Sequence, residues 1–245
     1  MTTEILRHDT ADALARSVAD RLVTRLAEVQ REGRVPSVVL TGGTIAVKIH
    51  EAVAASSARD SVDWDAVEVW FGDERFVPAD STERNAGQAA EAMLDRLPFD
   101  PKRLHVMPPS DGEYGDDVDA AAAAYGRELR ASGGDGSVPV FDVLMLGIGP
   151  DGHCASLFPG RREQLSGEPA VAVRDSPKPP PTRISLTMWV LRNAREVWWV
   201  AAGEGKAQAV HDALQDSDPV DVPAAGPKGL DRTLWFLDEA AASRL

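Results

Sequence analysis

His153 is the residue in this chain best placed for chemistry. It follows Gly147, Gly149 and Gly152 at the mouth of the apolar segment FDVLMLGIG, and it is expected to open a short helical turn stopped by Pro159 and Gly160. A helix N-terminus disfavours imidazolium, so the ring there stays neutral and can accept a proton near pH 7. That is the profile of a general base. Asp151, two residues earlier, can hydrogen-bond the ring and fix its tautomer, or serve only as a turn residue. Cys154 is not read as a nucleophile, because adjacent side chains point to different faces and no second histidine has a partnering position. The histidine and carboxylate spacing contains no metal-binding pattern of the HExxH kind, so no metal is expected.

A second set of residues suits an anion. The turn TGGT places Gly42, Gly43 and Thr44 at the start of a helix, where free N–H groups and the helix dipole seat a phosphate. GDER places Asp73, Glu74 and Arg75 just past a strand end. It is either a solvated turn with a local ion pair or a guanidinium fork held by Asp73 or Glu74 against two phosphate oxygens. Asn85 is expected to be the N-cap of the helix that follows. Lys178 lies on the proline-stiffened segment SPKPPP, which can fix a cation against a ligand, and Arg183 opens the next strand. Lys206, in GEGK, either reaches toward the same sheet edge or packs its stem.

These residues need a frame, and hydrophobic periodicity supplies one. Leu14, Val18, Leu22, Leu26 and Val29 recur at steps of four and three, which predicts an amphipathic helix over 11–31. SVVLTGG followed by AVKIHEAVAA reads as strand, tight turn, helix. AVEVWFGDER, with a strand near Val67 to Phe71 and a helix from Asn85 to Leu97, reads the same way. Leu104 to Met107 is a short strand candidate, and DAAAAYGRELRA is a helix. FDVLMLGIG, apolar without alternation, is expected mid-sheet and covered on both faces. A strand at Ile184 to Thr187, a strand-turn-helix unit over EVWWVAAGEGKAQAVHDAL, and TLWFLD with a short C-terminal helix complete the chain. Such alternation predicts an α/β fold, Rossmann-like, with a doubly wound, mostly parallel sheet. One domain over residues 1–245 is expected, with room for a small inserted subdomain around residues 108–140. Of the other histidines, His8 and His50 are expected to face solvent, and His105 and His211 to be structural.

Composition narrows the partners. The chain has 245 residues, with 39 acids against 26 bases for a formal charge of −13, a field that repels polyanions. Nucleic acid is not an expected partner. No apolar run reaches the roughly 20 residues a membrane span needs, and the N-terminus MTTEILRHDT has no apolar signal core. A cytoplasmic chain with no membrane partner is expected. Its one cysteine excludes an internal disulfide and a cysteine zinc site.

Taken together, TGGT, WFGDERFVPADSTERN, LGIGPDGHCASLFPG, SPKPPPTRISLT and GEGKA, in order over about Leu40 to Ala207, resemble the 6-phosphogluconolactonase family of the pentose phosphate pathway. GDER and GGT are shared with the related glucosamine-6-phosphate deaminases. The resemblance implies a fold of the deaminase/isomerase superfamily, no metal or organic cofactor, and hydrolysis of 6-phospho-D-glucono-1,5-lactone to 6-phosphogluconate. It also implies that His153 is the base and that Arg75 and Lys178 hold the substrate phosphate. The expected partner is then a sugar-phosphate lactone, with the chain a monomer or a weak homo-oligomer. An amino-sugar-phosphate deaminase and a non-catalytic sugar-phosphate-binding regulator are the alternatives. Cys154 stands where the family usually has threonine, so the side chain at that position is not chemically required.

Overall fold

The computed structural model describes residues 2–215 and 217–245. In chain order its elements are β1 (Thr2–His8), α1 (Ala11–Arg31), β2 (Ser37–Leu40), α2 (Thr44–Ala55), β3 (Glu68–Phe71), β4 (Asp73–Arg75), α3 (Asn85–Ala92), α4 (Val118–Ser132), β5 (Phe141–Gly147), β6 (Ala170–Val173), β7 (Arg183–Leu186), α5 (Met188–Leu191), β8 (Ala194–Ala201), α6 (Ala207–Leu214) and β9 (Arg232–Asp238). Six strands form one parallel sheet in the order β1-β9-β8-β5-β2-β3. A separate antiparallel sheet, β4-β7-β6, stands beside it.

The period-two geometry of a strand sorts the apolar residues onto two faces. Val143 and Met145 of β5, Trp198 and Val200 of β8 and Phe236 of β9 join one core, closed by Leu14, Val18, Leu22 and Leu26 of α1 and Ile49 and Val53 of α2. Leu144 and Leu146, Trp199 and Trp235 join the other, closed by Tyr125 and Leu129 of α4, Val210 of α6 and Ile184 and Leu186 of the small sheet. Burial on both faces is why these strands lack alternation in sequence. The expected mid-sheet place of β5, the α1 periodicity and the parallel doubly wound order all hold. From the 108–140 stretch, α4 packs its inner face into the same core as the central strands.

Several expected elements differ. β1 and β6 were not anticipated: β1 is an edge strand with nearly every side chain exposed, so it carries no burial signature. Leu104 to Met107 forms no strand, only one bridge from Leu104 to Val69, since Pro108 and Pro109 remove ladder donors. α3 ends at Ala92, where Met93 leaves helical geometry, and Leu94–Arg96 makes a single 3₁₀ turn. The C-terminal residues after β9 form turns, not a helix. His50 does not face solvent: it is 2% exposed on the inner side of α2, and neither ring nitrogen has a partner among the described residues. His8 is half-buried, its ring stacked on Phe236. Among the described residues, no helix is long and apolar enough to cross a membrane.

Candidate active site

In a parallel sheet the loops leaving the carboxyl ends of the strands gather on one side, and ligands bind there. Here the turn after β2, the β3–β4 corner, the loop after β5 and the turn after β8 meet the proline-rich segment before β7. They enclose a cleft of about 210 Å³. Gly42, Gly43, Asp73, Arg75, His153, Lys178, Arg183 and Lys206 all line it, as does Asn85. Two expected residues do not. Thr44 is exposed in the first turn of α2, and Asp151 lies behind His153. Thr41, Ile148, Ala155 and Pro179 were not anticipated. Thr41 and Ile148 adjoin the glycine turns and were within reach of sequence reading, whereas Ala155 and Pro179 offer no functional side chain to read.

His153 opens no helical turn. Gly152 (φ 83°) and Ala155 (φ 48°) turn the chain left-handed, and Cys154 bridges Leu157 across a tight turn. A helix dipole is therefore not what holds this imidazole. A carboxylate does: Nδ1 lies 2.5 Å from Asp151 Oδ1, and the ring leans on Phe158 at a centroid distance of 4.6 Å. Burial works to raise the Asp151 carboxyl, but the hydrogen bond and charge of His153 prevail and hold it at about 2. Nε2 of the ring has no hydrogen-bond partner among the described residues. Cys154 is fully buried, and burial pushes its thiol up, which is inconsistent with a nucleophile.

Asp73–Arg75 of GDER form the strand β4, not a solvated turn. Glu74, 1% exposed, accepts from the backbone N–H groups of Arg75 (2.8 Å), Asn85 (2.7 Å) and Ala86 (2.9 Å), and so satisfies the first turn of α3. Burial pushes its carboxyl up against the pull of Arg84 and these amides. Asp73 accepts from Ser156 Oγ at 2.7 Å, tying β4 to the His153 loop. Neither acid holds the Arg75 guanidinium, contrary to expectation. Arg75 Nη1 donates to the Asn85 Oδ1 and to the Glu83 carbonyl, while its buried Nε has no partner among the described residues. Asn85 is likewise not an N-cap. It is the first residue of α3, with its side chain turned into the cleft wall.

Arg183 is 5% exposed and donates to the carbonyls of Pro180 (3.2 Å) and Lys178 (2.9 Å), with Asp73 Oδ2 at 4.0 Å. It therefore fastens the segment that carries Lys178. Lys206 Nζ donates to the Ile148 carbonyl at 2.6 Å, and burial, then the charge of Lys178, lowers its pKa. Four cationic side chains thus converge on one cleft of a chain whose net charge is −13. A concentrated positive field in an acidic molecule attracts anions. Among the described residues, no three His, Cys, Asp or Glu side chains are gathered as a metal ion would require.

Comparison with known proteins gives the chain's relatives. Residues 9–235 match the family model described as glucosamine-6-phosphate isomerases/6-phosphogluconolactonase. The chain is 50% identical to a 6-phosphogluconolactonase of Streptomyces coelicolor, over 100% of this chain and 95% of that one. The solved 6-phosphogluconolactonase of Trypanosoma brucei is 29% identical with a TM-score of 0.82, covering 100% of this chain and 99% of that one. A monomeric glucosamine-6-phosphate deaminase, 17% identical with a TM-score of 0.80 over 99% and 100% of the two chains, shares the fold alone. On its sequence and on its fold, the chain belongs to the glucosamine-6-phosphate isomerase/6-phosphogluconolactonase family.

Proposed function

We propose that this chain hydrolyses 6-phospho-D-glucono-1,5-lactone to 6-phosphogluconate, a cytoplasmic step of the oxidative pentose phosphate pathway, with His153 as general base and no step assigned to a metal. The observation that carries this reading is an imidazole held by a carboxylate on Nδ1, with no partner on Nε2 among the described residues, at the wall of a cleft with four cations. A 50% identical relative named 6-phosphogluconolactonase supports the same substrate.

The chemistry asked of the site is modest, because a lactone is an activated ester. Nε2 takes a proton from water as the water oxygen attacks C1, and the carbonyl becomes a tetrahedral oxyanion. The C1–ring oxygen bond then breaks, and the proton on Nε2 passes to the departing ring oxygen, which becomes a hydroxyl. Asp151 stays ionised throughout and stabilises the imidazolium between these transfers. General-base help of this kind is worth roughly 10²- to 10⁴-fold. Arg75 and Lys178 hold the phosphate and so orient C1, with Lys206 adding to the field. The amides of Gly147, Gly149 and Gly152 already have acceptors in Thr41 Oγ1, the His153 carbonyl and the Gly149 carbonyl. The amide donors offered to substrate anion are therefore those of the turn through Gly42, Gly43 and Thr44, at the N-terminus of α2.

The test is a continuous assay of freshly prepared lactone against its spontaneous hydrolysis, with and without protein. Acceleration that saturates with substrate is expected. No acceleration, with ammonia released from glucosamine 6-phosphate, would overturn the reading in favour of a deaminase.

A further inference from the structure

Asn85 does more than begin α3. Its side chain is buried, and both ends of its carboxamide are engaged: Oδ1 accepts from Arg75 Nη1, and Nδ2 donates to the Asp73 carbonyl at 2.9 Å. The same carboxamide rests against Gly42. A Cβ at residue 42 would stand 1.9 Å from Asn85 Oδ1, 2.4 Å from Cγ and 2.8 Å from Nδ2, distances no real side chain tolerates. One neutral amide therefore joins the β2–α2 turn, β4 and α3.

The choice of a neutral group matters. Two acids, Asp73 and Glu74, come just before Arg75 in sequence, yet the fold turns Asp73 to Ser156 and to the Asn85 Nδ2, which donates to its Oδ1 at 3.3 Å, and Glu74 to the α3 amides. A carboxylate on the guanidinium would fix it and also neutralise it, leaving little attraction for an incoming anion. A carboxamide fixes it and leaves the charge available. We infer that Asn85 is a positioning residue that aims Arg75 at an anionic ligand, and that its contact with Gly42 makes the glycine turn and the arginine one steric unit. This rests on the reading above that the cleft takes a phosphate monoester.

The experiment titrates inorganic phosphate by calorimetry, with lactone kinetics in parallel, on Asn85→Ala, Asn85→Asp, Gly42→Ala and the Gly42→Ala/Asn85→Ala double variant. Losing one hydrogen bond to a charged group should weaken phosphate binding and raise KM roughly tenfold in Asn85→Ala, with kcat little changed. Asn85→Asp keeps the shape but pairs with Arg75, and should weaken phosphate further. Gly42→Ala should cost affinity in the wild-type background and little in the Asn85→Ala background, because the three atoms nearest the new Cβ all belong to the missing carboxamide. Wild-type affinity and KM in both Asn85 variants would overturn the inference, as would an equal Gly42→Ala cost in both backgrounds or a wild-type chain that binds no phosphate. If Asn85→Ala does not fold, Asn85→Ser, which removes the carboxamide and adds no charge, takes its place and should show the same loss of phosphate affinity. A wild-type chain inert toward the lactone would overturn the proposed function instead, while the phosphate titrations still report on Asn85.

Discussion

His153 Nδ1 and Asp151 Oδ1 stand 2.5 Å apart, two residues from one another on a left-handed turn. The carboxyl is held at about 2, so it is ionised at every pH where the protein would work. In the proposed mechanism its part is to hold the proton on Nδ1 and leave Nε2 as the base. His153→Ala should lower kcat by roughly 10²- to 10⁴-fold with little change in KM. Asp151→Asn, which keeps the size and loses the charge, should also lower kcat and leave phosphate binding intact. Steady-state kinetics on both variants checks this, and a near-normal kcat in His153→Ala removes the ring from the mechanism.

Gly149 is required by that pair. A Cβ there would lie 2.0 Å from His153 Nδ1 and 2.4 Å from Asp151 Oδ1, inside both partners at once. Gly149→Ala must therefore push the ring off its carboxylate. The loss of kcat should match that of His153→Ala to within about tenfold. Phosphate binding, made by other segments, should survive. Equal activity in Gly149→Ala and wild type would show that the ring does not work from this position.

The cations should separate from the base in kinetics. Arg75→Ala should raise KM strongly and change kcat less, since the phosphate is bound alike in ground and transition states. Arg183 acts at one remove: its fork grips the carbonyls of Lys178 and Pro180. Arg183→Lys keeps the charge but not the two-point grip, so KM should rise by about as much as in Lys178→Ala. The double variant should be little worse than either single one. Additive losses would mean that Arg183 meets the substrate itself.

Sequence reading reached the cleft because glycines and charges at strand ends announce themselves: of the ten residues expected there, all but Thr44 and Asp151 line it. What it missed were contacts made across long sequence distances. Nothing in the order of residues 73–85 tells that Glu74 would cap α3 while Asn85, not an acid, would hold Arg75. The helix expected at His153 failed because Gly152 and Ala155 take left-handed turns that a short polar stretch does not advertise. β1 stayed hidden because its partner, β9, lies at the other end of the chain.

His50 ties stability to pH. Burial pushes its pKa down to about 4 from 6.5, and neither nitrogen has a partner among the described residues. The unfolded chain therefore binds a proton near pH 6.5 that the folded chain refuses until about pH 4. Stability from this group is present above pH 6.5 and is lost as pH falls through that window, by about 3 kcal/mol in full. His105 works in the opposite sense, because its bonds to Glu128 and Glu68 outweigh burial and raise its pKa. The two are separated by comparison with His50→Leu, which removes only the first. Denaturant unfolding from pH 7.5 down to pH 4.5 should show wild type losing stability more steeply than His50→Leu. Parallel curves would mean that water or a rearranged neighbour reaches the ring, and that it is not sealed in the core.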